Sequence, residues 1–213
     1  MGRDRKAYYL PVPILGDATV VAAKVSRSIS NALRVQLATP TGVELAHAQQ
    51  KGGLGVLLGF KNGGKATYNV SAVSGEALRI DVAGTTTITN SDRVLGKIVP
   101  ADGAARFENA AGAVLAVMRP HVGFKADSAW HHPIFTPAGQ ELGVLTLMRI
   151  RTGWTDIEED IYQLVLNYSY ARGLKAPSAG ALLKLSAPVG PELGDVLAAA
   201  CVDCSVLPRA YIA

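Results

Sequence analysis

Aromatic residues are scarce in this chain: four Phe, seven Tyr and two Trp make up 6% of its 213 residues. A core built from this sequence therefore rests on Val, Leu, Ile and Ala. Cysteine is scarcer still, with only Cys201 and Cys204. Two cysteines give no disulfide framework, and a reducing compartment, the cytoplasm, is the expected location. No apolar run reaches the roughly 18 to 20 uninterrupted residues that a spanning helix needs. The N-terminal stretch from Ala7 to Gly16 is interrupted by Pro11 and Pro13 and ended by Asp17, which makes a poor signal-peptide core. Lys6 stands where a myristoylation motif needs Ser or Thr. Dense charge is also missing. The net charge is +4, the basic residues are scattered, and Arg3, Arg5 and Lys6 form the one tight group. Nucleic-acid binders show a basic stripe with interleaved aromatics, and no such stripe is present, so nucleic acid is not an expected partner.

What the chain has is apolar residues, 49% of the total against 18% charged. That balance excludes disorder of the whole chain and suits a single large domain. From Thr19 to Ile150 one theme recurs, a short β-type run followed by a turn rich in Gly, Pro, Asn, Asp or Ala. Leu33, Val35 and Leu37 alternate with Arg34 and Gln36, the period of a half-buried strand. After the break at Thr39-Pro40-Thr41-Gly42, Glu44 to Gln49 returns as a hairpin partner. Leu78, Ile80 and Val82 alternate in the same way, and the β-branched run Thr85 to Thr89 favours extended backbone.

A turn followed by Leu and a small residue occurs at Leu95-Gly96, Leu115-Ala116 and Leu142-Gly143, with a weaker copy at Leu45-Ala46. Each copy opens the outgoing arm of a hairpin. Strands at this spacing, with no long helices between them, indicate a sandwich or barrel of about a dozen strands.

Two segments break the theme. Ile157, Ile161, Leu164 and Val165 have helical spacing, and Thr155 with Glu158 forms a capping box, while Leu164, Leu166, Tyr168 and Tyr170 also alternate as a strand would. The second is the segment from Pro191 to Cys204. Pro191 suits the first helical position and Glu192 the first turn. The run Leu193 to Val202 is apolar almost all round, so this helix is buried on every side or sits in a membrane. It spans about 20 Å against a hydrocarbon core of about 30 Å, and Asp195, Asp203 and Pro208 prevent its extension. Burial in protein is the consistent reading.

Hairpins closed by one short apolar helix resemble the tubby-like barrel shared by phospholipid scramblases, LURP-one-related proteins and tubby C-terminal domains. The hairpin openings around Gly96, Gly112 and Gly139 resemble that group's turn-Leu-Gly pattern, and Gly190 to Asp203 is similar to the scramblase and LURP-one C-terminus. The resemblance covers roughly Thr19 to Asp203. It implies a mostly β fold, a closed antiparallel barrel of about twelve strands around a short apolar C-terminal helix near 191–204. The barrel domain then runs over 19–207, between an N-terminal extension (1–18) and a C-terminal tail (208–213).

The resemblance also implies a non-enzymatic binding or scaffold protein at the periphery of an anionic membrane. Lys24, Arg27, Arg149 and Arg151 are candidate basic wall residues for phospholipid headgroups. The acidic calcium-associated segment of scramblases has no counterpart in Leu185 to Val189, and Asp195 alone cannot supply the six to eight oxygens calcium takes.

Other motifs carry less. Gly59 to Lys65 has P-loop spacing, but Ala66 stands where the magnesium-binding hydroxyl belongs and a strand follows in place of a helix. Ala176-Pro177-Ser178-Ala179-Gly180 resembles a nucleophile elbow, yet His47, His121, His131 and His132 all precede Ser178, the wrong order for that triad. Cys201 and Cys204 are half of a zinc site and close a helix, whereas thiol activation needs a helix start. Trp130-His131-His132-Pro133 reads as a strand end ahead of a proline, and Asp156, Glu158, Glu159 and Asp160 as a solvated face. No catalytic, cofactor or metal site is expected. A protein-interaction subunit without a lipid role and a nucleotide-dependent enzyme using Lys65 are the alternatives.

Overall fold

The computed structural model describes residues 13–27, 33–51, 66–75, 77–101, 104–120, 129–149 and 179–206. Among these residues, twelve strands and one helix follow one another: β1 (Val20–Arg27), β2 (Leu33–Ala38), β3 (Glu44–Gln50), β4 (Ala66–Ala72), β5 (Ala77–Val82), β6 (Thr86–Asn90), β7 (Arg93–Ala101), β8 (Ala104–Asn109), β9 (Val114–Met118), β10 (Ala129–Phe135), β11 (Glu141–Arg149), β12 (Ala179–Leu185) and α1 (Pro191–Val206). Each strand pairs antiparallel with the next, and β1 pairs with β12, which closes the barrel.

The Leu-small repeat has a structural meaning that periodicity alone does not reveal. In β7 the register passes from Ile88↔Gly96 to Thr89↔Val94, so Leu95 has no cross-strand partner. The same skip falls on Leu115 in β9, on Leu142 in β11 and on Leu45 in β3. Each leucine is the extra residue of a β-bulge, which bends the strand and increases its twist. Bulges repeated at one end of successive hairpins curl a sheet toward closure.

The small residue after each leucine then faces the interior, and Ala46, Gly96, Ala116 and Gly143 are all buried. A Cβ on Gly96 would lie 2.6 Å from Val196 Cγ2 and 2.6 Å from Glu108 O. The repeat thus combines a bend with room for the helix.

Three of the turns ahead of these bulges share one design. In 39–43, 109–113 and 136–140 the glycine N–H returns to the first residue's carbonyl, with Gly42, Gly112 and Gly139 at φ of 83°, 83° and 86°. Side-chain oxygens of Thr39, Asn109 and Thr136 accept the N–H four residues on, at 3.1, 2.9 and 3.1 Å. A positive φ is readily adopted only by glycine, and the Thr or Asn oxygen satisfies an otherwise unpaired donor.

Helix α1 lies inside this wall. Val196 to Val202 are each at most 1% exposed, and the helix touches β1, β2, β6, β7, β8, β11 and β12. Polar anchors hold its two ends. Asp195 Oδ1 accepts the Ile14 N–H at 3.1 Å, and Asp203 Oδ2 accepts the Thr86 hydroxyl at 2.6 Å. The sequence places a helix over 191–204, and the observed one runs two residues further.

One expectation is corrected. The strand containing Trp130 and His131 does not end ahead of Pro133 but continues through it to Phe135. Proline has no N–H, and here that missing donor is on the β9 side, since the Pro133 carbonyl accepts the Arg119 N–H at 2.9 Å. The β10–β11 ladder is unaffected. The helix-or-strand segment around Asp156 to Tyr170 lies outside the described residues.

Candidate functional site

Helix α1 and the inward side chains fill the barrel axis. Tyr68, Phe107, Met118, Ile134 and Leu145 are each no more than 1% exposed. Cys201 and Cys204 are among the buried groups, and burial pushes the Cys201 thiol up to about 12, so it stays protonated and unreactive at neutral pH. No group of three or more His, Cys, Asp or Glu among the described residues is arranged to hold a metal ion. Among the described residues, the polar side chains open to other molecules lie on the outer wall and its turns.

On that wall, strands β3 and β4 carry a polar groove of about 370 Å³ lined by His47, Gln49, Gln50, Lys51, Asn69 and Ser71. Strand alternation builds it: Ala46, Ala48 and Val70 face the core, which turns His47, Gln49, Asn69 and Ser71 outward. His47 is directly opposite Ser71, and Gln49 is opposite Asn69. The row continues sideways to Arg34 on β2 and Arg79 on β5.

Charges around the groove are locally matched. Glu44 accepts the Gln36 carboxamide N–H at 2.7 Å and lies 3.5 Å from His47 Nδ1. Asp81 accepts the Thr67 hydroxyl at 2.6 Å and pairs with Arg79 at 2.8 Å. Burial pushes the Asp81 carboxyl upward, but the Thr67 hydroxyl and the Arg79 and Lys51 charges outweigh it and hold it below the usual carboxylate range. Arg34 and Lys51 are exposed cations flanking the amides, as is Arg79, which is paired with Asp81.

The basic residues singled out from sequence are placed differently. Lys24 alternates with the core residues Ala23 and Val25 and so faces outward, opposite Gln36 on β2 and Gly180 on β12. It is nevertheless only 4% exposed, and Nζ has no hydrogen-bond partner among the described residues. Desolvation lowers its pKa, because burial disfavours the ammonium. Arg27 and Arg149 end β1 and β11 at the same end of the barrel. With Lys24, then, three of the four are gathered on β1 and β11, the two neighbours of β12. Arg151 lies outside the described residues, as do Gly59 to Lys65, Ser178, His121 and the acidic run 156–160. His131 and His132, neighbours on β10, differ in burial as expected of opposite faces: His132 is 0% exposed and His131 is half-buried.

Sequence reading missed the groove. His47 drew attention only as a triad member in the wrong order. The usable signal was the polar alternation His47, Gln49, Lys51 on a strand whose other face is Ala46 and Ala48.

Fold and site together define a closed, helix-filled β-barrel with a polar outer groove. No protein-family description, curated protein or solved structure matches the chain. No helix among the described residues is long and apolar enough to cross a membrane.

Proposed function

We propose that this chain is a tubby-like barrel serving as a non-enzymatic binding or scaffold module, which contacts anionic phospholipid headgroups through basic residues of its outer wall. The observation that supports this most is the closed twelve-strand barrel wound around its own C-terminal helix, the architecture implied by the family resemblance. A filled axis directs recognition to the outside. Burial of Lys24 argues against its use at a flat membrane, and Arg34 and Lys51 take its place as exposed cations beside the groove.

Each basic residue near an anionic surface contributes about 1 kcal/mol. Replacing both Arg34 and Lys51 with Gln is then expected to weaken binding by roughly 30-fold. Co-sedimentation with phosphatidylcholine vesicles, with and without phosphatidylserine, at two salt concentrations tests the reading. Pelleting that requires phosphatidylserine and fades with salt supports it. Absence of pelleting at low salt rejects it.

A protein-interaction role is the second reading. It is favoured by Val43 and Val73, which among the described residues are the large apolar side chains left exposed, at 59% and 69%, on the β2–β3 and β4–β5 turns.

A further inference from the structure

Among the described residues the ladders of this barrel differ in length. Across the described residues, β9 and β10 share two register pairs, Met118↔Ile134 and Val117↔Phe135, whereas β10 and β11 share seven. One break in the β9–β10 ladder is written in the sequence. The next pair along would join Arg119 to Pro133, and Pro133 has no N–H to return, so only half of it forms, the 2.9 Å bond from Arg119 N–H to Pro133 O. Pro120 follows at once and also lacks a donor.

Side chains stand in for the second hydrogen bond that the Arg119–Pro133 pair lacks. The Arg119 carbonyl that Pro133 leaves unpaired lies 3.1 Å from His132 Nδ1, so the imidazole carries its proton on Nδ1 and donates it there. The Arg119 guanidinium also sits over the Phe135 ring, 4.1 Å from its centroid. These are two local staples beside the half-formed pair.

We infer that the β9–β10 seam is where the closed wall opens ahead of global unfolding, held shut by the His132 bond to Arg119 and the Arg119–Phe135 stack. Such openings are local events with free energies below that of the whole fold. The inference is independent of the ligand and of the family reading.

Residue-resolved hydrogen exchange on the native protein tests it with an internal control. Alternation along β10 directs the Phe135 N–H to β9 and the Ile134 N–H to β11, so neighbouring amides report opposite ladders. Val117, Arg119 and Phe135 amides are expected to exchange at least about tenfold faster than Ile134. Pro133→Ala supplies the missing donor and is expected to slow the seam amides selectively. His132→Leu removes the substitute donor and is expected to speed them. Equal protection of Phe135 and Ile134 in the unmodified protein overturns the inference. So does a Pro133→Ala variant whose seam and control amides shift together. Should His132→Leu fail to fold, the first two comparisons decide the matter.

Discussion

Placing one carboxylate on the buried helix gives the sharpest test of the fold. Ala199 is 1% exposed, with Val196, Leu197, Ala198 and Ala200 around it equally dry. An aspartate there must stay charged without water or give up its charge. Giving it up is the cheaper course. Protonating a carboxyl of normal pKa near 3.9 at pH 7 costs about 3 units of 1.36 kcal/mol, or roughly 4 kcal/mol. Burying the neutral acid without a partner adds about 1–3 kcal/mol. The sum, about 5–7 kcal/mol, rivals the whole stability of an ordinary domain, about 5–15 kcal/mol.

Only part of that cost depends on pH. The introduced group has a folded-state pKa raised above its unfolded value, so the variant's deficit relative to wild type grows as pH rises from about 4 to 7. At pH 4 the protonation part vanishes and about 1–3 kcal/mol remains. Urea denaturation of wild type, Ala199→Asp and Ala199→Asn at both pH values isolates it, because the asparagine variant should show a deficit that does not change with pH. Val196→Asp should behave like Ala199→Asp. A folded Ala199→Asp protein with the wild-type midpoint at pH 7, or a deficit identical at the two pH values, would refute burial of this helix.

Gly96→Ala drives a methyl group to 2.6 Å from both Glu108 O and Val196 Cγ2, and should cost about 1–3 kcal/mol by chemical denaturation, with Val196→Ala in the same chain relieving only the side-chain half. Lys24→Met removes a buried ammonium that has no hydrogen-bond partner among the described residues, and should stabilise the fold by about 1–3 kcal/mol. Because the folded pKa of Lys24 is lowered, the wild type should gain stability as pH rises from that value toward 10.5, and thermal melts of Lys24→Met should lack this rise. Thr86→Val removes the buried hydrogen bond to Asp203 and should cost about 1–3 kcal/mol, because the Asp203 acceptor is left in a dry site without it. Adding Asp203→Leu should cost less than it does alone, and additive losses would show that the pair is not coupled.

Much of the architecture was legible in the residues because it rests on short-range rules. The Leu-small repeat marked the outgoing strands β3, β7, β9 and β11, and the interrupted apolar run marked α1. What stayed hidden depends on closure. That Leu95 is a bulge and Gly96 a socket for Val196 needs the register of two neighbouring strands, which alternation within one strand does not fix. Lys24 reads as a wall cation from its polar position, and alternation within one strand cannot show that the outer face is covered there. The groove joins side chains of β3 and β4 that lie about twenty residues apart, and no local pattern signals that meeting. Pro133 misled for a related reason. A proline ends a strand paired on both sides, but it is tolerated where one side is left to a seam.

The pairing of β1 with β12 also sets the order in which this molecule can be made. Val20 lies beside Lys184, and the helix that fills the barrel follows later still in the chain. During synthesis the first eleven strands leave the ribosome with neither their closing partner nor their core, so the barrel becomes a folding unit only when the end of α1 is free. Contacts of such wide sequence separation make folding slow, in the millisecond-to-second range. Until then every inward face of the wall is exposed sheet surface, the condition in which hairpin-rich chains aggregate and most need a chaperone.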